Sequence, residues 1–281
     1  MDKRGTYVIG GLVFLFFTAI FFWKEVLNTG FFEVTFFNIG QGDAAFIRTL
    51  QGQHIVIDGG PDNTILEKLA KKIPLWDKTI DLLILSHPAA DHITGLIGVL
   101  EKYKVKNIVW NGIRKNTEVF KAWEQAVEQE KEEGAVVSIA AAPGKIALKS
   151  KGCAQFLDIL YPIDDIVGKF FIDDNDTAVV VRVVSCDHSV LFTGDLTTAG
   201  EKQILQNAYD VHSDVLKVGH HGSKTSSSLA FIEAVSPDVA VISSGQKNQY
   251  GHPHKEVLAR FLEFGIDILR TDELGDITLR F

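Results

Sequence analysis

At 281 residues with 46% apolar composition, the chain is long enough for one large domain or two small ones and too apolar for global disorder. Twenty-eight basic against thirty-six acidic residues give a net charge of −8, which excludes general electrostatic affinity for nucleic acid or an anionic membrane. A phosphate-bearing ligand therefore needs a local feature to hold it, and a bound metal is the most direct.

Residues 5–23 carry no charge and are long enough to cross a bilayer as a helix. Lys3 and Arg4 precede them, while Lys24 and Glu25 nearly cancel behind. This bias predicts a single-pass anchor in the cell membrane, with a cytoplasmic N-terminus and the body of the chain on the outer face. A cleaved signal peptide is the rival, but no small-x-small site precedes the bulky Trp23. Residues 1–30 thus read as anchor and connector, and residues 31–281 as one domain.

From Phe31 onward, strands and helices alternate. Strands are predicted over 32–37 and 44–49 around Gly40-Gln41-Gly42-Asp43, then over 54–57, closed by Asp58-Gly59-Gly60-Pro61. A helix over 64–72 stops before Pro74. Strand 80–85, helix 92–103 and strand 107–110 follow. A charged helix spans 116–133, with Phe120, Trp123, Ala126 and Val127 on one face. Strands lie near 135–140, 145–149, 154–160 and 177–184. His188 is placed in a hairpin turn before strand 190–193. Helix 198–208, strand 214–218, helix 226–235, strand 238–243, helix 255–264 and two last strands complete the chain. Two mixed sheets packed face to face, with helices outside, bury this pattern. Cys153 and Cys186 form no CxxC pair and read as two reduced core residues, a disulfide between them being the alternative that nothing in the sequence supports.

The chemistry concentrates at strand ends. Ser86-His87-Pro88-Ala89-Ala90-Asp91-His92 sets two imidazoles and a carboxylate on a strand-to-helix turn, a donor set suited to zinc or manganese. Asp195 ends another strand; His220 and His221 follow a third, and residue spacing alone does not choose between them. His252 fits a ligand, a general acid or a plain loop histidine. Asp91 also fits a helix N-cap. Asp43 and Asp58 read as residues that form turns or hold the ligands in place. Lys217, Lys224 and Lys247 are cations that a phosphate could meet.

Taken in order, Gly40-Gln41-Gly42-Asp43-Ala44, Ile57-Asp58-Gly59-Gly60, Ser86-His87 through Asp91-His92, Thr193-Gly194-Asp195, Gly219-His220-His221-Gly222-Ser223 and Tyr250-Gly251-His252-Pro253 resemble the metallo-beta-lactamase-like domain of the ComEC/Rec2 competence proteins. The resemblance covers residues 31–281. It implies an α+β, four-layer αββα sandwich of the metallo-beta-lactamase type behind the anchor helix. It also implies a metal-dependent hydrolase of phosphodiesters, nucleic acid among them, using hydroxide formed on Zn2+ or Mn2+. His87, Asp91, His92, Asp195 and one of His220 or His221 are the implied ligands, with Asn175 beside them. Asp91 would orient or deprotonate the attacking water, His252 would assist the leaving oxygen, and Lys224 or Lys247 would steady the phosphoryl oxygens. Full-length competence proteins of this kind also carry a multi-helix DNA channel; with one anchor expected here, DNA import is not implied.

Ala89 breaks the pattern. In the superfamily motif His-x-His-x-Asp-His it stands at the second ligand place, and a methyl group donates nothing. The expectation is one occupied metal site, or two with the first weakened. The alternative is a non-catalytic binding module of the same fold.

Overall fold

Along the strand at residues 54–59, Ile55 and Ile57 point to one face and Val56 to the other, and all three are buried. A sheet apolar on both faces must be covered on both, which dictates a layered architecture. The computed structural model, which describes residue 11, residues 13–19 and residues 30–281 except 170 and 172, has that architecture.

The first half contains β1 (Glu33–Phe36), β2 (Ala44–Arg48), β3 (His54–Gly59), α1 (Thr64–Lys72), β4 (Thr79–Ile80), β5 (Leu82–Ile84), α2 (Ala90–Lys102), β6 (Lys104–Val105), β7 (Asn107–Trp110), α3 (Glu118–Glu132) and β8 (Val136–Ile139). The second contains β9 (Gly144–Ala147), β10 (Gln155–Tyr161), β11 (Val180–Ser185), β12 (His188–Phe192), α4 (Thr198–Gln206), β13 (Val215–Lys217), α5 (Leu229–Val235), β14 (Val239–Ile242), α6 (Lys255–Glu263), β15 (Asp267–Arg270), α7 (Thr271–Leu274) and β16 (Ile277–Arg280). One sheet has the order β16-β1-β2-β3-β5-β7-β8 and the other β15-β14-β13-β12-β11-β10-β9, with β4 and β6 pairing separately.

Three apolar layers follow. Between the sheets, Phe36, Ile55, Ile57 and Ile84 meet Val181, Val183, Phe192 and Val241, with the Phe36 and Phe192 rings stacked at 5.6 Å. Val56, Leu83 and Ile108 face α1, α2 and α3 through Leu69, Leu96 and Trp123. Val180, Leu191, Leu216 and Ala240 face the second helical layer through Ile204, Phe231 and Phe261. The expected αββα sandwich is therefore present.

Several expectations are corrected. Strand 80–85 is broken at Asp81, whose carboxylate accepts the His54 N–H at 3.0 Å and pairs with Lys106 at 2.8 Å. Strand 177–184 starts late because residues 174–177 form a 3-10 turn closed by Thr177 Oγ1 on the Asp174 carbonyl. His188 begins β12 instead of sitting in the turn. Cys153 and Cys186 are disulfide-bonded and half-exposed at a hairpin end, so they are not reduced core residues. Most of the span 5–23 lies outside the described residues; its described part, residue 11 and residues 13–19, is helical with Phe14, Phe16 and Phe17 exposed. Among the described residues, no helix is long and apolar enough to cross a membrane.

Candidate metal centre

β3 and β5 are parallel, as are β12, β13 and β14, so the C-terminal ends of these strands from both sheets gather at one end of the sandwich. Asp58 sits at the end of β3, and the segments after the other strands carry His87, Asp195, His220, His221 and Ser243. Two backbone contacts fix the assembly. A Cβ on Gly95 would stand 2.0 Å from the Gly59 carbonyl oxygen, so only glycine lets α2 lie against the end of β3. Gly42, at φ 133°, would place a Cβ 2.2 Å from the Asp91 carbonyl oxygen, which accepts the Asp43 N–H at 3.2 Å. The Gly-Gln-Gly-Asp turn therefore clasps the first turn of α2.

The Asp195 carboxylate is the hub of the cluster. Its Oδ2 lies 3.4 Å from His92 Nε2, 3.4 Å from His221 Nε2, 3.9 Å from His220 Nε2 and 4.0 Å from His87 Nε2. Asp91 Oδ2 is also 3.4 Å from His221 Nε2. Donor atoms bonded at 2.0–2.1 Å to a tetrahedral ion stand about 3.3–3.4 Å apart, which is the spacing found here. His87 Nε2, His92 Nε2, His221 Nε2 and Asp195 Oδ1 are all buried without a hydrogen-bond partner. Buried polar atoms are ordinarily paired, so four orphans clustered around Asp195, in overlapping sets that each bring three donors within 4.8 Å, call for a ligand. The residues present therefore fit a divalent cation.

The opposite edge of each imidazole is tied down. Asp58 accepts from the Ser86 N–H and O–H, both at 2.7 Å, and from His92 Nδ1 at 2.9 Å. With its own proton committed to Asp58, Ser86 Oγ accepts from His87 Nδ1 at 3.0 Å. His221 Nδ1 donates to the Ser243 carbonyl at 3.0 Å and lies 3.3 Å from Asp43 Oδ1. Engaging Nδ1 in all three rings turns Nε2 inward. Asp43 is held in turn by Lys217, whose buried Nζ lies 2.6 Å from Oδ2 and donates to the Val218 carbonyl at 2.9 Å. Lys217 is thus no surface cation waiting for phosphate.

Charge is balanced inside the cluster. Burial disfavours charge on His92, yet the Asp195 and Asp58 carboxylates outweigh it and raise its pKa well above 6.5. His221 follows the same logic through Asp195 and Asp43. Burial raises the Asp195 pKa, but His221 and His92 overcome this and hold it well below the usual range. For Asp91, burial is likewise overcome by His221 and His92, and the pKa falls to about 2. Burial and the neighbouring His92 lower His87 to about 3, so it is neutral.

The Metallo-beta-lactamase superfamily profile matches residues 38–246, about three-quarters of the chain. The chain belongs to the metallo-beta-lactamase superfamily. It is 30% identical to ComE operon protein 3 of Bacillus subtilis (strain 168) over 98% of its length and 36% of that protein. It is 33% identical to competence protein ComA of Neisseria gonorrhoeae over 86% of its length and 31% of the relative. The chain spans about a third of the length of these curated relatives. Among solved structures it superposes on CmlA, a diiron beta-hydroxylase from Streptomyces venezuelae, with TM-score 0.57 at 14% identity, covering 89% of this chain and 54% of CmlA. That likeness concerns the fold.

In this member of the superfamily, the candidates separate. His87, Asp91, His92, Asp195 and His221 converge. His220 is displaced: its ring is partly exposed, 3.1 Å from Thr225 Oγ1 and 3.5 Å from Asn175 Nδ2. Both histidines adopt left-handed backbone, at φ 48° and 55°, a strain of about 1–3 kcal/mol each that functional sites tolerate. Those two conformations send adjacent side chains to different partners. The His252 ring centroid lies 5.5 Å from that of His220 and 6.3 Å from that of His221; Nδ1 is buried and unpartnered. Asn248 grips its backbone on both sides, at 2.6 and 3.0 Å. Lys224 and Lys247 are exposed and form no ion pair among the described residues. Asp91 does not cap α2; Ala89 is the N-cap, and its carbonyl accepts from His92 and Ile93, both at 3.0 Å. Ser86 and Ser243 are the supporting residues that the sequence reading left without a role. The signal for Ser86 was its place inside the motif; for the Ser243 carbonyl there was none.

Proposed function

We propose that this superfamily member is a membrane-anchored phosphodiesterase of the nuclease type, working with one divalent cation, Zn2+ or Mn2+, held by Asp91, His92, Asp195 and His221. The observation that carries the reading is three spacings of 3.4 Å, from Asp195 Oδ2 to Nε2 of His92 and of His221 and from Asp91 Oδ2 to His221 Nε2, with His92 shared between the Asp91 and Asp195 donor groups. When bound, such a cation supplies Lewis acidity and a lowered water pKa. His87 and the shared Asp195 remain at the other position; Ala89 adds no donor there, so a second ion is held weakly at best.

The chain's own groups divide the remaining work. Asp91, ionised down to about pH 2, orients the attacking water through its carboxylate and is too weak a base to deprotonate it fully. Burial, together with His220, His221 and His254, lowers His252 to about 4. It is therefore neutral at pH 7: it holds no proton to give the leaving oxygen and can only accept a hydrogen bond from the attacking water, whose proton passes to solvent. The oxygen–phosphorus bond to water forms as the bond to the leaving alkoxide breaks, and solvent reprotonates that alkoxide. Lys224 and Lys247 lie on exposed loops from which they can reach a long polyanion.

The likeness to competence proteins supports a nucleic-acid substrate. The charge-free stretch 5–23 supports anchoring, and the Cys153–Cys186 disulfide supports the outer face, where thiols oxidise. The observation favouring an inert binding module is Ala89. Elemental analysis of the purified full chain, followed by hydrolysis assays on bis(p-nitrophenyl) phosphate and single-stranded DNA with Mn2+ and Zn2+, separates the two. One bound ion with turnover is expected; a metal-free, inert chain establishes the binding module.

A further inference from the structure

Leu75 and Trp76 are 79% and 88% exposed, at the tip of the turn between α1 and β4. Large apolar side chains side by side in water mark a surface awaiting a partner. Strand register locates them. β3 and β5 run toward the His/Asp cluster, so their first residues mark the opposite end of the sandwich, where Asp81 accepts from the His54 N–H. Arg48 pairs with His54, and Glu33 with Arg48, so the chain enters β1 at that same far end. Glu33 ties this entrance to the last turn of α1 through Lys72 Nζ at 2.9 Å, three residues before Leu75. Beyond the buried Phe32, Phe31 is 63% exposed. The described chain therefore enters the domain at the Leu75–Trp76 end, remote from the cluster.

The charge around the tip runs against that of the whole chain. Lys71, Lys78, Lys102 and Lys104 are exposed there. Lys78 and Lys104 are backbone neighbours, with the Lys104 N–H on the Lys78 carbonyl at 2.7 Å. Lys78 Nζ lies 5.7 Å from the Tyr103 ring centroid, which brings the end of α2 alongside. Of the nearby carboxylates, Asp77 accepts the Thr79 N–H at 2.9 Å and keeps its charge, and Glu67 and Glu101 are exposed, which sets three carboxylates against the four lysines. The local excess is basic in a chain of net charge −8.

We propose that this end is a docking face for an anionic lipid bilayer, with Leu75 and Trp76 entering the interface and Lys71, Lys78 and Lys104 facing the headgroups. The proposal rests on the anchoring reading above, because the anchor is what delivers this end of the domain to the membrane. Indole at the headgroup level and lysines at an anionic surface are each favoured there. Tethering makes the contact intramolecular, so a weak docking face is populated without high lipid affinity. The consequence is orientation: the metal centre faces away from the bilayer, open to a polymer in the aqueous phase.

The full chain carrying Trp23→Phe, reconstituted in phosphatidylglycerol-containing vesicles with acyl-brominated lipid, tests this against the Trp23→Phe/Trp76→Phe chain. Of the four tryptophans, Trp110 and Trp123 are buried and serve as the folding control. The account expects a blue-shifted Trp76 component that bromolipid quenches, with Lys78→Gln lowering the docked-to-undocked ratio about fivefold. Trp76 emission open to acrylamide and untouched by bromolipid overturns the proposal. So does emission shielded from both quenchers only at high chain density, which assigns the face to a second copy. Alkaline extraction of the same vesicles reports the anchor separately. An extracted chain refutes the anchor, and its bromolipid quenching on added vesicles still decides the docking face. A retained chain with unquenched Trp76 refutes the docking face alone.

Discussion

Replacing Asp58 by asparagine separates metal affinity from fold stability. Asp58 is buried and accepts three hydrogen bonds, two from Ser86 and one from His92 Nδ1. Asparagine keeps one carbonyl oxygen for Ser86 but presents an NH2 group toward its other partners. His92 Nδ1 can no longer donate there, and its proton moves to Nε2, the atom aimed at Asp195. Removing such a carboxylate behind a ligating histidine costs about 10–100-fold in metal affinity, or about 1.4–2.7 kcal/mol. Stability should not fall in parallel: burial raises the Asp58 pKa despite His92, so its charge is held at some cost that asparagine avoids. Competition against a chromophoric chelator gives the affinity, urea unfolding of the metal-free chain gives the stability, and long-range 1H–15N correlation gives the His92 tautomer. Wild-type affinity with His92 still protonated at Nδ1 would refute the assignment of His92 to the metal.

Other consequences follow from the same geometry. Ala89→Asp both caps α2 and restores a donor at the vacant ligand place, so metal content should rise from one toward two ions per chain; Ala89→Ser, capping alone, should add about 1 kcal/mol of stability with no added metal. Lys217→Met removes the closer of the two cations at the buried Asp43 carboxylate, leaving His221 at 3.3 Å, and should cost about 3 kcal/mol in urea unfolding, recovered in large part by adding Asp43→Asn. The raised pKa values of His92 and His221 fix two signs. Both rings are protonated in the metal-free fold at pH 7, so metal uptake releases protons and affinity rises with pH, which calorimetry in buffers of different ionisation enthalpy reads directly. The stability these rings lend the metal-free fold is complete below about 6.5 and is lost as pH climbs through their folded values, so chelated protein should melt earlier in alkaline buffer.

The fold was largely legible because alternating apolar residues and strand-end turns are local signals. The convergence of His87, Asp91, His92 and Asp195 could be anticipated for the same reason: each follows a strand in a layered sandwich. His221 over His220 could not, since two consecutive left-handed residues decide it and neither is glycine. Lys217 misled because lysine is ordinarily a surface residue, and its partner Asp43 is 174 positions away in sequence. Cys153 and Cys186 misled because apolar neighbours imitate a core, whereas the hairpin of β11 and β12 brings the second beside the turn before β10. Pairing of β16 with β1 joins opposite ends of the domain and leaves no trace in local pattern. Ala89, an anomaly as a ligand, is equally a poor helix cap, and nothing in its surroundings supplies a reason for alanine there.

The central claim is tested most directly by zinc-edge absorption spectroscopy and anomalous diffraction on the full chain loaded with one equivalent of Zn2+. The account predicts a single ion within about 2.0–2.2 Å of Nε2 of His92 and His221 and of oxygens from Asp91 and Asp195. An ion seated on other residues, or none retained after dialysis, would contradict it.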